Sequence, residues 1–217
     1  CAHGIAGAGG IGREMAAWLI DGHPTMDLWE MDVRRFGAQY KSFSYSLARV
    51  VENYEMYYDI RYPGDDRKSG RPLKMSSAYE WHKNNGAVFG EKSGWERVNY
   101  YSVNENPAHE PLRPAGWSGK NWSTAIVTEC IATREKAGIY DESSFSKIEI
   151  SGPGAPAYME HLCSNKIVKG PGSVTYTQML DERGGIESDV TVTQTGPTTF
   201  RMISGTALHS HDMAWLT

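Results

Sequence analysis

The sequence predicts an α+β fold with antiparallel strands, and three observations carry that prediction. Apolar residues recur at helical spacing in two N-terminal stretches, irregular chain rich in large rings follows, and after about residue 145 an alternation of period two takes over. Strands joined by short turns, with helices set before and beside them, make an α+β arrangement rather than repeated βαβ units.

The chain opens on CAHGIAGAGGIG, where Gly7, Gly9 and Gly12 spell GxGxxG, the pattern of a dinucleotide-binding loop. That loop needs a buried strand running into it and a helix leaving it, so that free N–H groups meet a pyrophosphate. Only CAHGIA precedes it, with a glycine and a histidine where a buried parallel strand would carry Val, Ile and Leu. The helix half of the requirement is met: Ile11, Met15, Trp18 and Leu19 fall at roughly helical spacing, and Gly22 followed by Pro24 makes a stop. The expectation is a glycine turn feeding a helix, in a chain that starts midway through a structural unit.

Next, SFSYSLARVVENYEMYY predicts a helix over 42–58 with Leu47, Val50, Val51, Tyr54 and Tyr58 on one stripe. RYPGDDRKSGRP is dense in turn formers and charge and reads as an exposed, mobile loop. Residues 75–122 hold four of the seven tryptophans, Trp81, Trp95, Trp117 and Trp122, together with Tyr79, Tyr100 and Tyr101. Without a period, this stretch is expected to be loops packed by large rings against a neighbouring domain. A third helix is expected from Ser123 to Lys136, with Ser123 near its cap and Ile126, Val127, Cys130 and Ile131 facing inward.

After it, FSKIEISG reads as a strand and GAPAYMEHLCSN as a short helix. VTYTQML, GGIESDVTVT and TTFRMIS read as three strands separated by DERGG and QTGP turns. HDMAW begins a last helix, with Asp212 near its positive end and Trp215 in the core.

Composition narrows the function. The chain has 217 residues, 40% hydrophobic and 22% charged, as an ordinary globular chain does. A net charge of -4 gives no electrostatic reason to expect nucleic acid or an anionic membrane as partner. There is no long apolar run of membrane-spanning length and no basic-then-apolar N-terminus. Cys1, Cys130 and Cys163 are odd in number and form no CxxC pair, which points to a reducing compartment rather than a disulfide framework or zinc. His209 and His211 in HSHD lack the further ligands of a metal site, so none is assigned.

Four stretches, in this order and spacing, carry a resemblance: HGIAGAGGIGREMAAWLIDGHPTMDLWEMDVRRFG; GWERVNYY; AGIYDESSFSKIEISGPGA with YMEHLCSN; and YTQMLDERGGIESDVTV with HDMAW. The chain resembles the dimethylglycine and sarcosine dehydrogenase/oxidase family, flavoprotein oxidases fused to a tetrahydrofolate-binding part similar to the glycine cleavage T-protein. The resemblance implies that residues 1–37 are the end of the FAD-dependent oxidoreductase domain. Residues 38–120 would be an irregular, aromatic-rich middle domain, and 121–217 the first half of the T-protein-like folate domain.

It also implies FAD and tetrahydrofolate as cofactors and a small methylated amine as substrate. A hydride would pass from an N-methyl group to FAD, and the one-carbon unit to tetrahydrofolate. The rest of a longer polypeptide is the implied partner, with a homo-oligomer left open. The compartment would be cytoplasmic, or the mitochondrial matrix in a eukaryote. By the same resemblance Gly4, Gly9 and Gly10 would let a helix N-terminus approach the flavin, favouring the negative charge of its reduced form. Tyr176 and Asp189 match the tyrosine and acidic residue that contact folate, with Asp189 also assisting proton transfer. Relatives often carry two adjacent acidic residues here, whereas this chain has Ser188 before Asp189. Two alternatives stay open: a folate-dependent aminomethyl or methyl transferase without a redox step, and a non-catalytic aromatic-rich interaction module. The isolated chain is expected to hold neither cofactor well.

Overall fold

A computed structural model describes residues 3–217. The first helix, α1 (Gly4–Asp21), takes in the whole glycine-rich stretch, so the expected glycine turn is helix instead. Each glycine costs a helix about 1 kcal/mol, yet neither proline nor a β-branched run interrupts Gly4–Gly12, and the helix nucleated by the following residues propagates through it. The stop is where glycine and proline place it: Gly22 has φ 83°, and its N–H bonds Trp18 O at 3.1 Å. Glu14 is the buried residue of α1, and its carboxylate accepts from the backbone N–H and the hydroxyl of Thr25, each at 2.8 Å.

Helix α2 (Phe43–Glu55) is capped by Ser42, whose hydroxyl accepts from Tyr45 N at 3.4 Å. It ends before the expected Tyr58, and its apolar stripe faces out: Val50 is 63% and Tyr54 82% exposed. The inward residue is Arg49, drawn by carboxylates at 3.3 Å (Glu91) and 3.9 Å (Glu52). The charged loop that follows is tied down. Glu52 accepts from Lys68 N at 2.6 Å, and Arg71 forks onto the buried Glu96 at 2.8 and 2.6 Å.

The aromatic stretch contains regular structure that its irregular pattern conceals: α3 (Tyr79–Asn84) and a hairpin of β1 (Ala87–Lys92) and β2 (Trp95–Tyr101). The hairpin closes on Ser93 and Gly94, both left-handed at φ 52° and 84°, which is two-residue turn chemistry. Trp81 and Trp117 stay exposed. Helix α4 (Thr124–Glu135) starts on Ser123 as expected, with Ala125 N donating to Ser123 Oγ at 3.2 Å. Its buried residues are Thr124 and Ala125, while Cys130 and Ile131 turn outward.

The last part has the predicted strands and helices: β3 (Ser146–Ser151), α5 (Ala155–Leu162), β4 (Val174–Leu180), β5 (Ile186–Gly196), β6 (Thr199–Ser204) and α6 (His209–Leu216). The sheet is antiparallel in the order β3-β6-β5-β4. One face, with Met179, Val190, Val192, Phe200 and Met202, packs into a core shared with Met159 of α5 and Ile167. Asp212 in the first turn of α6 is fully buried and accepts from the Ser204 hydroxyl. Trp215 is 38% exposed rather than enclosed, because α6 turns its buried side through Asp212. No helix is long and apolar enough to cross a membrane among the described residues.

Candidate functional site

Strand alternation decides which residues reach the open face of the four-stranded sheet. On β4, Thr175, Thr177 and Met179 point into the core, which turns Tyr176 and Gln178 outward. On β5 the buried set is Ser188, Val190 and Val192, so Glu187, Asp189 and Thr191 share the outer side. Tyr176 pairs across with Thr191, and Gln178 with Asp189. The diagonal between them is closed by a hydrogen bond: Tyr176 Oη donates to Asp189 Oδ2 at 3.1 Å. Tyr176 remains 59% exposed. The two sequence-predicted residues therefore form one hydrogen-bonded unit, a flat ring beside a carboxylate, on an accessible sheet surface.

The turn before β5 is stiff. Asp181 Oδ1 accepts from Arg183 N at 2.8 Å and Gly185 N at 2.7 Å, and Asp181 N donates to Gly185 O at 2.9 Å. The bond from Gly185 N, with that from Arg183 N, holds the Asp181 carboxyl below its ordinary value. Ser188 explains why a single carboxylate stands here. It is buried on the core side and its hydroxyl finds no partner among the described residues, so an acid at that position would enter the core.

Beside Glu187 stands His211, which the sequence pattern considers only as a metal ligand and leaves unassigned. His211 lies 3.5 Å from Glu187 Oε2 and 3.2 Å from Asp212 Oδ1, and the Trp29 ring meets it edge-on at 5.2 Å. The bond with Asp212 raises the imidazole pKa; burial opposes it, and the charges of Asp212, Glu187 and Asp27 add to the rise. An N-terminal segment thus touches the far end of the chain through Trp29. His209 is separate from this group, its Nδ1 lying 2.9 Å from Ser146 Oγ.

Gly4, Gly9 and Gly10 lie on α1, away from the turn geometry expected of them. Gly9 and Gly10 sit inside the helix, where their N–H groups belong to the helical ladder; Gly4 is in the first turn, where N–H groups are free. A Cβ added at any of the three would meet nothing within 4 Å. His3 approaches the Tyr57 hydroxyl, with ring centroids 5.8 Å apart.

The chain matches two known domain families. Residues 78–217 match the GCVT N-terminal domain family, and residues 21–76 match the FAD dependent oxidoreductase central domain. The mitochondrial pyruvate dehydrogenase phosphatase regulatory subunit of Mus musculus is 32% identical over 98% of this chain and 24% of its own length. Mitochondrial dimethylglycine dehydrogenase of Rattus norvegicus is 29% identical over 99% of the chain and 24% of its own. The chain thus spans about a quarter of the length of these relatives. The glycine cleavage system aminomethyltransferase T structure from Bartonella henselae superposes with a TM-score of 0.50 at 22% identity, over 66% of this chain and 34% of that one. That likeness bears on the fold alone. The chain belongs to the GCVT N-terminal domain family, with dimethylglycine and sarcosine dehydrogenases among its relatives.

Proposed function

We propose that these residues work as part of an FAD-dependent enzyme that oxidises a small methylated amine and passes the one-carbon unit to tetrahydrofolate. The observation that carries the folate half is the hydrogen-bonded pair of Tyr176 and Asp189 on the open sheet face. The residues fit a reduced pterin: the ring offers a stacking surface, and the carboxylate, which only accepts, suits an amine-bearing edge. When bound, tetrahydrofolate supplies the one-carbon acceptor. Asp189 would orient it and take up a proton, with Tyr176 holding Asp189 Oδ2 in place.

The flavin half rests on α1. Several glycines in mid-helix cost stability, and the open space at Gly4, Gly9 and Gly10 means that packing within this chain does not require them. The free N–H groups of the first turn at Gly4 favour negative charge, and the missing side chain there lets a ligand come close to them. FAD would supply the redox chemistry. In this reading the chain runs from the end of the flavin domain through a connecting part into the folate domain, whose family match begins at residue 78. In a eukaryote the compartment would be the mitochondrial matrix.

A second reading is supported by the 32% identity to a phosphatase regulatory subunit: a non-catalytic module on the same fold. Calorimetric titration of the longer protein with tetrahydrofolate separates the two. The first reading expects saturable binding that Asp189→Asn weakens by about 10-fold or more, as loss of a charged hydrogen bond of about 1.5–3 kcal/mol does. Tyr176→Phe should weaken it less. No binding to the parent protein, or identical affinity in Asp189→Asn, would reject the folate assignment. Flavin absorbance co-purifying with residues 1–217 alone would contradict the proposed division of the flavin site.

A further inference from the structure

Away from the Tyr176–Asp189 face, three side chains from distant parts of the sequence meet in one relay. His82 of α3 is buried, its Nδ1 2.7 Å from Tyr101 Oη at the end of β2 and its Nε2 3.1 Å from Asp141 Oδ2 beyond α4. Burial raises the Asp141 carboxyl, but hydrogen bonds from Ser143, Ser76 and His82 outweigh it and hold the group well below the ordinary carboxylate range. An ionised carboxylate only accepts, so Nε2 carries the hydrogen. In the neutral ring Nδ1 is then an acceptor, and the Tyr101 hydroxyl donates to it. The phenolic oxygen is thereby held with its lone pairs free for another donor.

These side chains line a cavity of about 490 Å³ between β2, α4 and residues 137–144, within the roughly 300–1,000 Å³ usual for small-molecule sites. Glu129 lines it too, and Oε1 alone takes both of its bonds, from Tyr101 N at 2.8 Å and Asn104 Nδ2 at 2.9 Å. Burial first, and then the charges of Glu129 and Asp141, push the Tyr101 hydroxyl up, and those two carboxylates bring negative charge to the cavity. Glu142 adds to it, against Arg97 and Arg134 on the walls. Val98, Ile126 and Ile139 supply an apolar side.

We propose that this cavity binds a small organic cation, a primary ammonium on an apolar or aromatic body. Tyr101 Oη and Glu129 receive its N–H groups, and His82 and Asp141 are positioning residues that fix the phenol as an acceptor. The site is independent of the folate assignment, since it shares no residue with Tyr176 or Asp189.

The test is calorimetry on the 217-residue chain at pH 8, with benzylammonium as probe and benzyl alcohol and benzoate as its neutral and anionic counterparts. Expected is saturable binding of benzylammonium and none of benzoate, with at least a tenfold loss in Tyr101→Phe and in Glu129→Gln. His82 is faced by Tyr101, Asp141 and the Trp81 ring. His82→Phe, which leaves the phenol without its acceptor, should weaken benzylammonium binding, and His82→Gln, whose amide oxygen can accept from the Tyr101 hydroxyl, should restore it, a rescue that a packing role would not give. Cys130 lines the same cavity and is exposed, so saturating benzylammonium should slow its alkylation at least threefold by peptide mass mapping. Cys163, buried and with its thiol pushed up to about 11 by burial and Glu160, is the internal control. The alkylation readout needs no variant and decides the matter if a substituted chain fails to fold. Absence of saturable binding, equal binding of benzoate, or an unchanged Cys130 rate would overturn the proposal.

Discussion

Replacing Gln194 by alanine should loosen the loop that leads into the open sheet face carrying Tyr176. Gln194 lies on β5 and is 3% exposed; its Oε1 accepts from Lys169 N at 3.1 Å and Gly170 N at 2.8 Å. Its backbone joins in, with Gly172 N donating to Gln194 O at 2.8 Å and Gln194 N to Ser173 O at 3.0 Å. Truncation removes two side-chain bonds worth about 1 kcal/mol each and a buried methylene worth about 0.8 kcal/mol. The expected cost is about 2–3 kcal/mol, a urea midpoint shift of roughly 1–1.5 M for a slope near 2 kcal/mol/M.

Far-UV circular dichroism in urea reads the cost, and amide exchange reads its location. Lys169 and Gly170 should lose protection in Gln194→Ala, while the β6 amides should keep theirs relative to global stability. Gln194→Met, similar in shape but without the acceptor, should cost nearly as much. A neutral Gln194→Met, or unchanged exchange at Lys169 and Gly170, would refute the argument. The effect reaches the site because the same loop carries Asn165, whose Nδ2 donates to Tyr176 O at 3.0 Å and whose N–H donates to Thr177 Oγ1 at 3.1 Å.

Phe200→Ala removes a fully buried ring from the core and should cost about 3–5 kcal/mol; a loss under 1 kcal/mol by urea unfolding would mean that the ring is not enclosed as described. His211 has its pKa raised by the bond to Asp212, with Glu187 and Asp27 assisting. Its stabilisation should therefore be complete below the unfolded value of about 6.5 and be lost as pH rises through the folded value. The stability gap between wild type and His211→Gln should shrink from pH 6 to pH 9, and a gap independent of pH would contradict the assignment.

The strands were legible because burial on one face writes a period of two into the sequence. Thr175, Thr177 and Met179 alternate with Tyr176 and Gln178, and Ser188, Val190 and Val192 with Asp189 and Thr191. Caps and stops were legible for a similar local reason, as at Ser123 and Gly22. The helix faces were not. The apolar stripe of α2 predicts that Val50 and Tyr54 face inward, yet Arg49 is the buried residue, because ion pairs with Glu52 and Glu91 set the orientation. Gly9 and Gly10 suggested a turn, and helix propagation absorbed them. The hairpin of β1 and β2 was hidden in a stretch where tryptophans and tyrosines obscure any alternation.

The resemblance named Tyr176 and Asp189, while the sequence by itself determined the α+β class and the succession of the C-terminal strands and helices along the chain. Those properties follow from local backbone preference and from alternation over a few residues. Only the tertiary structure decided that Trp29 rests on His211, that His82 sits between Tyr101 and Asp141, and that Gln194 holds the loop beside Tyr176. Such contacts join residues 19 or more positions apart, or depend on which way a buried polar side chain turns. They are selected by the need to satisfy buried donors and charges once the chain has closed on itself, a requirement that leaves no period in the sequence.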